Sequence, residues 1–289
     1  MKGRNAFLVL PVVVLIGLGV AWAGSQGGAT AFGIPVFTLA VGLIFAIQWL
    51  AFIPAYVMQT ERFFDLTGSL TYVSVTILAA LLSAPIGLRS MVLVALVVVW
   101  AMRLGAFLFR RIRRSGKDDR FDELKPSFVR FLNVWTIQAL WVTLTAAAAL
   151  AAITSVRQSG LDALAVAGLC VWLAGFSIEA VADLQKNRSR ADAANKGAFI
   201  RTGLWSWSRH PNYFGEIVLW LGVAIIALPV LQGWQLLTLI SPVFVFLLLT
   251  RVSGIPLLES KADAKWGGQE AYETYKQGTS VLVPRPPRR

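Results

Sequence analysis

The sequence predicts an all-α fold: a polytopic bundle of seven or eight transmembrane helices in a single integral membrane domain over residues 1–289. Hydrophobic residues make up 56% of the chain, and the mean hydropathy of +0.65 is far above that of soluble proteins. The apolar residues form blocks long enough for a helix to cross about 30 Å of hydrocarbon. The blocks do not alternate as the strands of a membrane barrel do, and lipid offers an irregular backbone no hydrogen-bond partners, which leaves helices.

Eight apolar blocks are found, at about 7–24, 34–57, 70–85, 89–109, 132–154, 161–182, 213–230 and 235–251. The first block has an alternative interpretation, because Lys2 and Arg4 precede an apolar run that ends in the small residues around Ala23. A cleaved signal peptide has the same pattern, and its removal would leave seven spans. We favour a retained first helix.

The distribution of positive charge predicts the orientation. If the N-terminus is cytoplasmic, the loops at 58–68, 110–131, 183–212 and 252–289 also lie inside. Most of the 27 Lys and Arg residues fall in these loops or at the N-terminal tip, as the positive-inside rule expects. We therefore predict that these loops are cytoplasmic. Contact with anionic lipid headgroups explains the net charge of +12, so no nucleic-acid partner is expected.

Cysteine and histidine limit the possible chemistry. The chain has one of each, Cys170 and His210. An internal disulfide and a Cys-rich metal site are excluded, and a multi-histidine zinc or haem site is not supported. We expect no metal at the functional site.

Ionisable residues at the inner ends of the blocks are the first candidates for function, because charge is expensive in a membrane. Glu179 and Asp183 share a helix face at i and i+4. They either bind a polar ligand or form a helix-end cluster with the basic residues that follow. Glu216 lies one turn after Pro211, which suits a helix start where free N–H groups favour anions.

Further candidates precede or lie inside the earlier blocks. Arg103 lies within the fourth block, where it either snorkels to the headgroups or meets a carboxylate or phosphate. Asp65 precedes the third block and is either a helix N-cap or a functional carboxyl, with Tyr72 two turns later on the same face. Arg120 is one of several basic loop residues, most of which are expected to anchor the loops at the headgroups, while one or two could pair with phosphates.

Several segments together resemble the DUF1295 family, which is grouped with the C-terminal domain of the steroid 5-alpha-reductases. The segments are Glu-Ala-Val-Ala-Asp-Leu-Gln at 179–185, Asn-Lys-Gly at 195–197, Thr-Gly-Leu-Trp-Ser-Trp-Ser-Arg-His-Pro-Asn-Tyr-Phe-Gly-Glu at 202–216, Val-Ser-Gly-Ile-Pro-Leu-Leu-Glu at 252–259, and Tyr272 with Tyr275 before a Val-Pro pair at 283–284. The resemblance covers about 60–285 and is dense after residue 175. It is close to the bacterial branch of the family, which implies a bacterial inner-membrane protein with its site loops in the cytoplasm.

The resemblance implies an NADPH-dependent reductase of a carbon–carbon double bond conjugated to a ketone, as in 3-oxo-Δ4-steroids. It implies substrate-side helices over 1–130 and a cofactor-binding half over 131–289. With the neighbouring basic and polar side chains, the expected cofactor contacts are Arg103, Arg120, Glu179, Asp183, Lys186, Arg188, Arg201, Arg209, His210, Asn212, Tyr213, Glu216, Tyr272, Tyr275 and Lys276.

The family's ketone-binding glutamate aligns with Asp65, and its ketone-binding tyrosine aligns with Trp100. Trp100 is a departure, because an indole cannot supply a proton. We expect Asp65 to polarise the substrate carbonyl as a hydrogen-bond-donating acid, with help from Tyr72. The expected partners are a lipophilic, steroid-like enone and membrane lipid, and the protein is expected to be monomeric.

Two other classes remain open. Membrane methyltransferases that use S-adenosylmethionine, of the isoprenylcysteine or phospholipid type, have a similar Arg-His-Pro-x-Tyr-x-Gly stretch and a Tyr-containing tail. The helix face of Glu179 and Asp183 and the Val-Ser-Gly-Ile-Pro stretch favour the reductase. A transporter or channel would place polar residues at mid-depth in several spans, whereas here they gather at the inner ends.

Overall fold

The computed structural model describes residues 3–287, without the side chains of residues 3–5, 114 and 115. Lys2 and the side chain of Arg4, used above for the first block, fall outside this part. Within it, eight helical segments are long and apolar enough to cross a membrane. The predicted all-α polytopic bundle is therefore confirmed, and the protein is an integral membrane protein.

The helices are α1 (Gly3–Gly24), α2 (Val36–Val57), α3 (Phe64–Leu82), α4 (Leu88–Ser115), α5 (Phe128–Thr154), α6 (Ala163–Ala191), α7 (Pro211–Ala227), α8 (Ile240–Leu247), α9 (Ile255–Trp266) and α10 (Glu270–Gly278). A small antiparallel hairpin, β1 (Thr30–Ala31) and β2 (Ile34–Pro35), connects α1 to α2. Short 3-10 turns lie at Asp119–Phe121, Ala193–Asn195, Gly203–Ser206 and Leu228–Val230. The last candidate span, Gly233–Trp266, is composite and runs through a 3-10 segment, α8, a π-helical turn and α9.

The chain divides into two compact units, Met1–Ala165 with Ala224–Ser241 and Val166–Val223 with Pro242–Arg289. The predicted halves, 1–130 and 131–289, divide the chain elsewhere, because α5 packs against α1, α2 and α3 in the first unit. Buried residues fill 89% of the apolar window of α5, against 28–44% for α1 to α4, which makes α5 the central helix of this unit.

The start of α3 is held by an aromatic cluster of Phe52, Phe64, Phe121, Phe131 and Trp135. The Gln138 side chain donates a hydrogen bond to the Phe64 carbonyl oxygen at 3.1 Å. The helix therefore begins six residues before the predicted block at 70–85. Its N-cap is Phe63, with no side-chain cap bond, so the N-cap alternative for Asp65 is wrong.

Arg89 is a charged side chain buried inside the first unit, with an exposed fraction of 1%. Its guanidinium forms an ion pair with Asp162 at 2.9 Å and donates to the carbonyl oxygens of Ile226 and Gly160, each at 2.7 Å. These contacts join the first turn of α4 to two distant chain segments of the same unit. A buried cation of this kind is costly unless it is fully paired.

Replacing Arg89 with methionine is expected to lower the free energy of unfolding by about 3 kcal/mol, because two carbonyls and a carboxylate lose their donor. Thermal unfolding in detergent measures the change. Arg157→Met is the matched control, because Arg157 belongs to the same unit and its side chain is exposed. Equal melting temperatures for the two variants would contradict the structural role of Arg89.

Candidate functional site

The second unit contains a cavity of about 340 Å³ whose wall combines cations with aromatic rings. The basic lining residues are Lys186, Arg190, Arg209, Lys261 and Lys265, and the aromatic ones are Phe199, Trp205, Trp266, Tyr272 and Tyr275. Among the described lining residues, Glu259 alone is acidic. Such a wall suits an anionic ligand that also has a flat ring.

The C-terminal end of α6 supplies one side of the cavity. The Lys186 ammonium lies 4.5 Å from the centroid of the Trp205 ring. The Trp205 indole N–H donates to the Ala182 carbonyl oxygen at 3.0 Å, and the Gln185 side chain accepts from the Leu204 N–H at 3.0 Å. These bonds fold the chain after α6 back onto the helix. The cation is therefore held beside a ring rather than free in solvent.

An aromatic wall faces this side, built around Phe199. The centroid of its ring lies 5.3 Å from those of Tyr272 and Tyr275 and 5.8 Å from that of Trp266. The Tyr275 hydroxyl donates to the Trp205 carbonyl oxygen at 2.7 Å. Burial raises the pKa of both tyrosines, and Asp263, which accepts from the Tyr272 hydroxyl, raises that of Tyr272 further. Both phenols are therefore neutral hydrogen-bond donors at physiological pH.

Glu259 on α9 meets Arg209 and His210, which precede α7. Its Oε2 lies 2.9 Å from Arg209 Nη1, and its Oε1 lies 2.7 Å from His210 Nε2. Burial lowers the pKa of His210, and the carboxylate of Glu259 opposes this effect only in part. The ordinary pKa of histidine, about 6.5, is already below 7. Because the pKa of His210 is lowered further, its imidazole is neutral at pH 7.

The segment 207–210 is fixed by the chain that follows α10. The Arg209 N–H donates to the Ser280 carbonyl oxygen at 2.8 Å, and the Ser208 hydroxyl donates to that of Leu282 at 2.7 Å. The His210 N–H in turn donates to the Ser208 hydroxyl at 3.1 Å. The backbone before α7 is thereby held like a short strand beside residues 280–282.

Helices α6 and α7 meet backbone to backbone through glycines. A Cβ added to Gly215 would lie 2.6 Å from both the Glu179 amide nitrogen and the Gly175 carbonyl oxygen. One added to Gly222 would lie 2.6 Å from the Trp172 amide nitrogen. Only glycine permits such an approach. The contact fixes the position of α6 along α7, and so the positions of the side chains that α6 presents to the cavity.

The structure brings five of the predicted cofactor residues to the cavity: Lys186, Arg209, His210, Tyr272 and Tyr275. Others lie in the same unit but outside the described cavity lining: Glu179, Asp183, Arg188, Arg201, Asn212, Tyr213, Glu216 and Lys276. Arg188 and Arg201 line an adjoining open groove that shares the wall at 195–200. Glu179 and Asp183 are buried on one face of α6.

The remaining predicted residues belong to the first unit. The Tyr72 ring packs edge-on against Trp100, with centroids 5.1 Å apart, and Arg103 follows one turn later on α4. Arg120 pairs with Asp118 inside its own turn. The carboxyl of Asp65, the predicted hydrogen-bond-donating acid, forms an ion pair with Arg111 at 3.0 Å, so any donation to a substrate would compete with this contact. An ionised carboxylate accepts hydrogen bonds and donates none.

Sequence reasoning missed several lining residues, among them Phe199, Trp205, Glu259, Lys261, Lys265 and Trp266. The sequence predicts a loop at 252–289, whereas the structure forms α9 and α10 there. Pro256 indicates this helix in the sequence, because proline suits a first helical turn. A helix that begins there places Lys261 and Lys265 on one face, at i and i+4.

A family model described as a protein of unknown function (DUF1295) matches residues 51–279. Comparisons with curated proteins and with solved structures gave no match. The matched region contains α3 to α10 and every residue that lines the cavity. Because the match covers well over half of the chain, this protein belongs to the DUF1295 family.

Proposed function

We propose that this protein is a membrane-embedded, NADPH-dependent reductase of the carbon–carbon double bond of an enone such as a 3-oxo-Δ4-steroid. The main support from the structure is the cavity of the second unit, in which five Lys and Arg side chains adjoin five aromatic rings. The resemblance of residues 179–185, 202–216 and 252–259 to the steroid 5-alpha-reductase group supports the type of reaction.

The donor set fits a dinucleotide phosphate. Arg209 and Lys186 would bind phosphate oxygens by charge-assisted hydrogen bonds, and Lys261 and Lys265 add two more cations on α9. A volume of about 340 Å³ is at the lower end of ligand pockets and suits one nucleotide. The adjoining groove with Arg188 and Arg201 would accommodate the rest of the molecule.

On this proposal a bound nicotinamide would supply a hydride to the β-carbon of the enone and be oxidised to NADP⁺, and the α-carbon of the resulting enolate would take a proton from solvent. The task of the chain is to orient the substrate and to stabilise the negative charge on its carbonyl oxygen. We assign that hydrogen bond to the Tyr72 hydroxyl, because Asp65 is engaged as an acceptor by Arg111. Trp100 packs against the Tyr72 ring and fixes its orientation. A lipophilic enone would reach these spans from the bilayer.

The experiment that tests the function is ligand-dependent thermal unfolding of the purified protein in detergent. NADPH at about 100 times its dissociation constant is expected to stabilise the protein by about 2.7 kcal/mol, a shift of several degrees. Loss of NADPH absorbance with a panel of enones then tests the chemistry. Stabilisation by S-adenosylmethionine without any by NADPH would favour the methyltransferase class and reject the reductase.

Lys186→Gln is expected to weaken NADPH binding about tenfold, which corresponds to 1.4 kcal/mol, by removing one cation from the cavity. The deficit should shrink as salt is added, since salt screens a charge contribution. Isothermal titration at two ionic strengths measures both effects. Lys196→Gln is the control, because Lys196 is exposed nearby and is not among the lining residues. Equal affinities for the two variants would remove Lys186 from the site.

A further inference from the structure

We propose that His210 accepts a hydrogen bond from a donor group of the bound ligand through Nδ1, and that Glu259 fixes the imidazole tautomer that makes this possible. The inference rests on the proposed function, in that the ligand is taken to be a dinucleotide in the cavity. It assigns to His210 a specific chemical role, and it makes Glu259 a positioning residue.

The contacts of Glu259 determine where the imidazole proton lies. Its Oε2 is paired with the Arg209 guanidinium and its Oε1 lies 2.7 Å from His210 Nε2. A carboxylate beside a guanidinium is an acceptor. Nε2 must therefore bear the proton and donate it to Glu259. In a neutral imidazole this leaves a lone pair on Nδ1.

The surroundings of His210 favour the neutral ring. Its exposed fraction is 4%, and the nearby cations Lys186 and Arg209 add to the effect of burial in lowering its pKa. Tyr213 lies parallel to the ring, with centroids 5.7 Å apart, and occupies one of its faces. Protonation would place a third positive charge beside the two cations.

Nδ1 is buried and has no hydrogen-bond partner among the described residues. Buried polar atoms are nearly always satisfied, so an orphaned acceptor in a residue that lines a cavity indicates a partner outside the chain. The basic side chains nearby donate hydrogen bonds and suit phosphates, whereas unprotonated Nδ1 accepts a hydrogen bond and suits a donor group. The lining of the cavity therefore combines donors for phosphate oxygens with one acceptor for an N–H or O–H group of the ligand.

The group that binds Nδ1 must be an N–H or O–H donor. Ionised phosphate oxygens donate nothing at neutral pH, so the partner belongs to a base or a sugar. A dinucleotide offers three such groups: the adenine amine, the nicotinamide carboxamide and the ribose hydroxyls. His210 would therefore position the base or sugar part of the ligand while the cations hold the phosphates.

Two isosteric variants separate the functions of the two ring nitrogens. Glutamine at position 210 keeps an N–H near the place of Nε2 for Glu259 but loses the acceptor at Nδ1. Asparagine keeps an oxygen near the place of Nδ1. His210→Gln is expected to weaken NADPH binding about tenfold, as loss of one buried hydrogen bond does, while His210→Asn stays within about threefold of the wild type. Isothermal titration measures the affinities.

Analogues of the cofactor identify the donor on the same three proteins. Hypoxanthine replaces adenine and removes its amine, and 3-acetylpyridine removes the carboxamide N–H₂. The analogue that lacks the donor should bind wild type weakly and show no further loss with His210→Gln. If the loss persists with both analogues, the donor is a ribose hydroxyl, which also supports the proposal.

The proposal is overturned if His210→Gln binds NADPH as tightly as the wild type, or if His210→Asn is as weak as His210→Gln. A wild-type protein that NADPH does not stabilise would instead reject the proposed function itself, so the two failures are distinct. Melting temperatures without ligand show whether each variant is folded. If a variant is not folded, analogues on the wild-type protein decide. The proposal is overturned if the two base analogues and analogues that lack each ribose hydroxyl in turn all bind as tightly as NADPH.

Discussion

A Tyr72→Phe protein is expected to bind NADPH with wild-type affinity and to reduce an enone at least about a hundredfold more slowly, since one hydrogen bond to a developing oxyanion contributes about that much. The substitution removes only the hydroxyl. The phenyl ring can keep its edge-on contact with Trp100, so packing in the first unit is retained. Single-turnover kinetics with saturating NADPH measure the chemical step, and titration measures the binding.

Tyr56→Phe is the matched control for this variant. Tyr56 belongs to the same unit, and its ring packs against Phe52 and Phe128 at centroid distances of 5.6 and 5.2 Å. Loss of its hydroxyl should leave turnover unchanged. If Tyr72→Phe keeps wild-type turnover, the carbonyl of the substrate is polarised elsewhere. An Asp65→Leu variant that then loses turnover with NADPH binding intact would restore the role expected for that carboxyl from the sequence.

A Gly215→Leu protein is expected not to fold, and Gly215→Ala to lose about 3 kcal/mol of stability. Even the single Cβ of alanine would lie 2.6 Å from two backbone atoms of α6, at Gly175 and Glu179. Backbone atoms cannot rotate away as side chains do, so the helices must separate. Without water between apolar helices, close packing of this kind is the main source of their association.

The control for this pair is Gly42→Leu on α2. A Cβ at Gly42 would meet nothing within 4 Å, and the residue is exposed on its helix. Its larger side chain should leave the melting temperature within about two degrees of wild type, because an exposed substitution changes stability little. If Gly215→Ala has the same melting temperature as this control, the backbones of α6 and α7 can separate enough to accommodate a Cβ, and the predicted clash is rejected.

The membrane fold is predictable from the sequence because each span must be both long and apolar, and these two properties are visible in the residues. The ends of the helices are less visible. Helix α3 begins at Phe64, before the apolar block, because the aromatic cluster and Gln138 hold a turn that hydropathy does not detect. Helix α6 continues to Ala191 through polar residues once it leaves the apolar region.

The candidate site was predictable in part for a related reason. Arg209 and His210 stand out because the sequence places them against a proline at a helix start. Glu259 does not, since its importance depends on two partners about fifty residues earlier in the chain. Asp65 shows the converse, because the sequence reveals a carboxyl and only the fold reveals Arg111 beside it. Sequence can thus nominate residues, while their protonation and partners depend on tertiary contacts.

The attachment of segment 207–210 to the chain after α10 has a consequence for biogenesis. Ser280 and Leu282 accept from Arg209 and Ser208, and the Arg285 N–H donates to the Trp207 carbonyl oxygen at 3.0 Å. All three residues are translated after the last candidate span, which ends at Trp266. The nascent protein can therefore have every helix inserted while the histidine segment still lacks its strand-like neighbour. The wall of the candidate cavity that contains His210 can therefore be completed only after the last span has been translated.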